Sequence, residues 1–151
     1  MAIHSAEIKW AAKENGEEFL KGRFSRAHTV SFDGGTEVPA SASPHVVGKW
    51  AVEAAVDPEE MLVASLSSCH MLSFLHLARM AGFTVTSYAD HAEGTTAEIA
   101  PGRLAVTQLK LRPKIEWASA APSKDELDRL HHQAHEICFI ANSVKTQVSV
   151  E

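Results

Sequence analysis

The chain has 151 residues, a formal net charge of −5 at pH 7 and a pI near 6.0, with 45% hydrophobic residues, a globular composition. One domain is expected at this length, able to bury about two-thirds of its unfolded surface. No Pro/Gly/Ser-rich stretch divides it, and no Lys/Arg cluster offers a footprint for nucleic acid.

The N-terminus, MAIHSAEIKW, has neither a basic start nor an apolar run. The most apolar segment is interrupted by Ser67, Ser68, His70 and His76. Neither secretion nor a membrane span is expected, which implies the cytoplasm and thiols reduced at rest. In chain order, AEIKWAA reads as a strand, KENGEE as a polar turn, and FLKGRFSRAHTVSF as a second strand closing on the turn signal DGG. Residues 41–56, with SASPH and a glycine, show no clear period and read as a loop long enough to carry function.

Asp57 opens a helix. It can cap, Pro58 fits the first helical position with its missing N–H and fixed φ, and Glu60 completes an Asp-x-x-Glu capping box. From Met61 to Met80 the apolar residues cover most of the circumference, and Gly82 ends the run. A helix apolar all round is buried all round, which in so small a domain calls for a sheet on one side and a second subunit on the other.

TVTSYADHAEGT and RLAVTQLKLRPKIEW then alternate with period two about the APGR turn, the pattern of an antiparallel hairpin. Ser123 and Glu126 form a second capping box, and Leu127, Leu130, Ala134 and Ile137 fall at helical spacing. KTQVSVE closes the chain as a short strand. The order β-β-(β)-α-β-β-α-β is α+β, without βαβ alternation.

Chemistry points first to the two cysteines, Cys69 and Cys138, one in each helix. They are 69 positions apart, too far for a CxxC pair, so folding alone can bring them together, as a nucleophile and its resolving partner. The alternative is two buried, unreactive thiols, since free Cys is among the most buried residue types.

The run DPEEMLVASLSSC resembles the signature helix of the OsmC/Ohr family, the osmotically inducible and organic hydroperoxide resistance proteins, and AHEIC resembles that family's second cysteine segment. The resemblance implies an OsmC-like fold: antiparallel sheets, a long buried central helix, a second helix, and an intertwined homodimer with its active site at the subunit interface. It implies a thiol peroxidase acting on organic hydroperoxides, with Cys69 peroxidatic, Cys138 resolving, an external dithiol as reductant, and no metal or organic cofactor. It also implies an Arg from the N-terminal strands holding the thiolate and a Glu holding the Arg.

Glu59 matches that Glu. Arg23 and Arg26 are three positions apart, which on a regular strand puts them on opposite faces so that one points inward; Arg26 is preferred for the Arg, with Arg23 next. Ten helical residues span about 15 Å, so Glu59 reaches the Cys69 region only if the helix breaks or if it comes from the other subunit. His70 stands where the family usually has an aromatic and Phe139 where it has Pro, which marks a divergent branch.

Two rival readings follow from the residues. His131, His135 and Cys138 at i, i+4, i+7 share a helical face with His132 beside it, and Cys69 or His70 from the other helix would complete a four-ligand site for zinc or another thiophilic metal. Alternatively Phe74, Phe83, Phe139, Leu66 and Met71 line an apolar pocket in a dimer without turnover. A serine triad built from Ser65, Ser67 or Ser68 with Asp90 and His91 is rejected, since a mid-helix serine lacks the strained turn of a hydrolase nucleophile.

Overall fold

The computed structural model describes Met1–Glu151. The fold is α+β, and the chain divides into two compact units, Met1–Met61 and Leu62–Glu151, each described by itself.

In the first unit, β1 (Ala6–Lys9), β2 (His28–Phe32) and β3 (Glu37–Ala40) form an antiparallel sheet in the order β1-β2-β3. The second expected strand is therefore shorter than its sequence suggested. Asn15 accepts a hydrogen bond from the Glu18 backbone N–H and caps a short helix, α1 (Gly16–Leu20), so the polar turn begins a helix and Phe19 and Leu20 are helical. The expected loop at 41–56 also contains local order. Ser43 caps a four-residue helix, α2 (Pro44–Val47), with Pro44 in its first turn, and a 3-10 turn follows at Gly48–Trp50.

The long helix α3 runs unbroken from Pro58 to Met80. Its start is the expected box: Glu60 N–H donates to Asp57 Oδ1 at 2.7 Å, and Asp57 N–H donates to Glu60 Oε2 at 2.9 Å. It stops at Gly82, whose φ of +86° is open to glycine and strained for other residues. By length and composition α3 could cross a membrane. Here it packs on protein along one stripe, Leu66, His70, Phe74 and Ala78, spaced four apart. Within the single chain the all-round burial expected of α3 is not found: Leu72 is 61% exposed and Met80 67%.

The expected hairpin forms but splits into two sheets. β4 (Val85–Asp90) pairs with β7 (Pro113–Trp117), and β5 (Glu93–Ala100) pairs with β6 (Arg103–Leu111), both antiparallel. The break falls at 91–92 and at Arg112. There Asp90 takes over the lost ladder contact, accepting the Arg112 backbone N–H at 2.6 Å while it also accepts the Ser67 hydroxyl of α3 at 2.5 Å. The guanidinium of Arg112 pairs with Glu93 and Glu151. α4 (Lys124–Ile137) carries the expected capping box, and β8 (Gln147–Val150) joins β6 in parallel, the one parallel pair among the strands.

Two clusters form the core of this unit. Phe74, Ala78, Leu130 and Ala134 join α3 to α4, with Tyr88, Ile115 and Trp117 against them. Leu66, Leu109 and Leu111 join α3 to β6. Each large side chain so buried contributes about 1.5–3 kcal/mol.

Where β5 crosses α3, Gly94 leaves no room: a Cβ there would stand 2.6 Å from Val63 Cγ2 and 3.2 Å from Val106 Cγ1. Val63 is β-branched and helical, so its rotamer cannot swing away. Gly94→Ala is expected to destabilise the protein by about 1–3 kcal/mol in urea unfolding. The double variant Gly94→Ala/Val63→Ala recovers part of that loss, and equal loss in single and double variants would exclude the contact as its cause.

Candidate active site

Cys69 lies on the fourth turn of α3, half-buried beside the packed stripe. Cys138 is the C-cap of α4, where φ −71° and ψ 111° take the chain out of the helix, and it is 1% exposed. The two thiols are free, and Cys69 is near enough to Cys138 to raise its pKa. Burial and the neighbouring Cys69 push the Cys138 thiol above its ordinary 9.0. The amides of Ala141 and Ile140, turned toward its sulfur, act in the opposite sense, with Ala141 N–H donating to Sγ at 3.4 Å. Cys138 is therefore kept as a neutral thiol beside a more accessible one.

The other expected residues belong to the first unit. Neither arginine lies in a strand. Arg23 is exposed and meets Glu18 at 3.7 Å. The guanidinium carbon of Arg26 sits 3.4 Å above the centre of the Phe24 ring, and its Nη1 donates to the Phe24 carbonyl. Arg26 forms no ion pair. Glu59 is exposed in the first turn of α3 and pairs with neither arginine in the chain. α3 is continuous from Pro58 to Met80, so no break in the helix brings Glu59 to Cys69.

The zinc face is not assembled. Cys138 has left the helix, His135 is exposed, and the ring of His131 turns into the core, so no three His, Cys, Asp or Glu side chains gather to hold a metal ion. Within the single chain the apolar-pocket residues do not converge either. Leu66 and Phe74 fill separate core clusters, Phe83 packs against Trp117, and Phe139 is 81% exposed. Ser67 does meet Asp90, but as part of the hairpin staple.

Sequence reading brought His70 to His131 only as a candidate zinc ligand and missed that the two pair directly in the core. His70 Nε2 and His131 Nδ1 are 3.0 Å apart, the rings stack at 5.3 Å and 8°, and His131 also lies on the face of Phe74 at 4.4 Å. His70 Nδ1 is buried without a partner, as is the hydroxyl of Tyr88, whose proton is held more tightly than usual by burial and by Asp90. The signal was available: each histidine falls on the apolar stripe of its helix, and a buried polar ring there must find a polar partner. On its other side His131 lines an open cleft of about 710 Å³ with His132, His135, Leu127 and Val148.

Known proteins bear on this site. The model of the OsmC-like protein family matches residues 51–151. The chain belongs to the OsmC family. An OsmC-like protein of unknown function from Vibrio cholerae is 48% identical, with a TM-score of 0.93 over 100% of this chain and 99% of the other. An organic hydroperoxide resistance protein OsmC from Legionella pneumophila (19% identity, TM-score 0.69, 100% and 96% covered) shares the fold. So does an organic hydroperoxide resistance protein from Elizabethkingia anophelis (18%, 0.69, 99% and 93%). No curated protein matches the sequence.

The histidine pair sets a pH limit on this OsmC-like chain. Burial first, then the neighbouring His131 and His135, lower the His70 pKa from 6.5 to about 4, against the opposing pull of Asp90. Burial also lowers that of His131, against Asp128 and Asp90. The unfolded chain thus binds the proton more readily, and stability present above the unfolded pKa is lost as pH falls toward the folded one. Thermal unfolding followed between pH 7 and pH 4 should show a falling Tm that steepens below pH 6.5. His70→Leu should flatten that fall, and an unchanged slope would assign it to other groups.

Proposed function

We propose that this chain is a thiol-dependent peroxidase for organic hydroperoxides, acting as a homodimer of one OsmC-like domain per subunit in the reducing cytoplasm. The observation that carries the reading is the proximity of Cys69 to Cys138, free thiols that only folding brings together. Membership of the OsmC family, and relatives named as organic hydroperoxide resistance proteins, support a redox role.

In this reading the Cys69 thiolate attacks one peroxide oxygen, the O–O bond breaks, the alkoxide takes a proton and leaves as an alcohol, and Cys69 becomes a sulfenic acid. The Cys138 sulfur then attacks the Cys69 sulfur, water leaves, and a disulfide forms. An external dithiol reduces it by exchange and is itself oxidised to a disulfide. Cys138 remains protonated and unreactive toward peroxide until the sulfenic acid stands beside it. The thiolate needs a cation, because the helix dipole falls off within the first turn and Cys69 lies beyond it. Arg26, unpaired with any acid, fits that role better than Arg23, which has Glu18. Glu59 of the second subunit would orient it, and that subunit would cover Leu72 and Met80.

Intact mass and free-thiol titration after one equivalent of cumene hydroperoxide test the cycle. The wild type is expected to lose both thiols and about 2 Da, and Cys138→Ser to hold a sulfenic acid that dimedone traps. Thiols that survive the peroxide would overturn the reading. Arg26→Ala should slow Cys69 oxidation by about tenfold, one pKa unit of thiolate, and Arg23→Ala by less.

A further inference from the structure

From the geometry of α3 and α4 we infer that the His70–His131 hydrogen bond is a positioning device for disulfide closure, holding Cys138 at the distance from which it resolves Cys69. The inference rests on the two-cysteine reading above.

His70 follows Cys69 on α3, and His131 precedes Cys138 by seven residues on α4. The imidazole bond is the one hydrogen bond linking α3 to α4 and its C-cap, and the second approach of the two helices is that of Cys69 to Cys138. The two approaches are separated by one residue on α3 and by two helical turns, about 10 Å, on α4. α4 therefore crosses α3 and carries Cys138 at the end of a lever that pivots on His131 and the packed Leu130 and Ala134. On such a lever a tilt of about 6° moves the sulfur by about 1 Å, enough to take reacting atoms out of attack geometry.

What resists that tilt is directional. The ring of His131 is laid on Phe74 and bonded to His70, whose own ring lies within 8° of parallel. An apolar pair of similar volume would fill the space without fixing distance and angle, which a hydrogen bond does. The pair is also unfavourable by stability alone. Two imidazoles are desolvated, and His70 Nδ1 is left with no partner, an arrangement that costs more than an apolar contact. The groups facing the pair are Asp90 from β4 and Asp128 and His135 from α4, none of which hydrogen-bonds either ring.

The consequence concerns one step of the cycle. Cys69 oxidation needs no contact with α4, whereas closure needs Cys138 in place. Loss of the bond should leave the first step and slow the second, so that a second hydroperoxide oxidises the waiting sulfenic acid to sulfinic acid with release of another alcohol.

The test follows both steps at pH 7 in wild type, His131→Leu and His131→Asn, under conditions where circular dichroism shows all three folded. His131→Leu is expected to oxidise Cys69 at the wild-type rate, to close the disulfide about tenfold more slowly, and to form sulfinic acid at lower peroxide concentration. His131→Asn, which keeps a polar atom near the Nδ1 position, should recover much of the closure rate. Should His131→Leu fail to fold, His70→Leu and His70→Gln, the latter with its amide near the Nε2 position, supply the same comparison. Equal closure rates and equal sulfinic acid yields in folded wild type and leucine variants would overturn the inference. Absence of Cys69 oxidation in the wild type would instead remove the peroxidase reading on which it rests.

Discussion

The second unit depends on a single stripe of α3. Leu66, His70, Phe74 and Ala78 recur every four residues and are its only buried positions. Leu66 meets β6, and Phe74 and Ala78 meet α4 and the β4–β7 pair. Because a straight helix advances about 100° per residue, fixing this stripe also fixes where Ser67 and Cys69 point, one on each side of the packed face. Ser67 is thereby delivered to Asp90 at the break in the hairpin, and Cys69 to the edge where α4 ends. Packing and chemistry are consequences of the same helical phase.

The surroundings of the Cys138 sulfur depend on how α4 stops. Its φ of −71° is still helical, so the side chain is buried as Ala134 is one turn before it, while its ψ of 111° turns the chain that follows. The following turn is held by Asn142, whose backbone N–H donates to the Cys138 carbonyl and whose side-chain amide donates to the Glu136 carbonyl. That turn directs the Ala141 amide to the sulfur. Burial and amide donors act in opposite directions on the thiol, and burial prevails, leaving a protonated residue whose reactivity depends on its neighbour.

Helix positions were legible because helix ends are local chemistry. Asp57 with Glu60, Ser123 with Glu126, and Gly82 are each decided within four residues, and all three stand as expected. Strand extents were less legible. Alternation ran through Asp90–Glu93 and through Arg112 without a mark for the break, which is decided by a side chain across the hairpin. Around Gly16–Leu20 the cap Asn15 was read as part of a turn, although Asn in that role starts a helix as readily as it makes a turn. The circumference of α3 misled for another reason: composition counts apolar residues, while burial in one chain depends on what that chain has available to cover them.

The site was legible as residue types and illegible as pairs. Two cysteines in 151 residues announce themselves by number, and family resemblance supplied the roles proposed for them. The histidines were read by spacing along one helix, which suggested a shared face at 131, 135 and 138. Spacing along a helix says which side chains share a face and nothing about what that face meets, and His131 met a histidine of another helix instead. A neutral pair suits this location better than an ionic one. Either charge of an ion pair would carry a large desolvation penalty beside Phe74 and would act on the thiols through a medium of low polarizability. One imidazole donating to another supplies direction without net charge, and protonation is disfavoured until well below neutral pH. The same burial that leaves His70 Nδ1 unpaired thus keeps the link between the two cysteine-bearing helices uncharged at the pH where thiol chemistry operates.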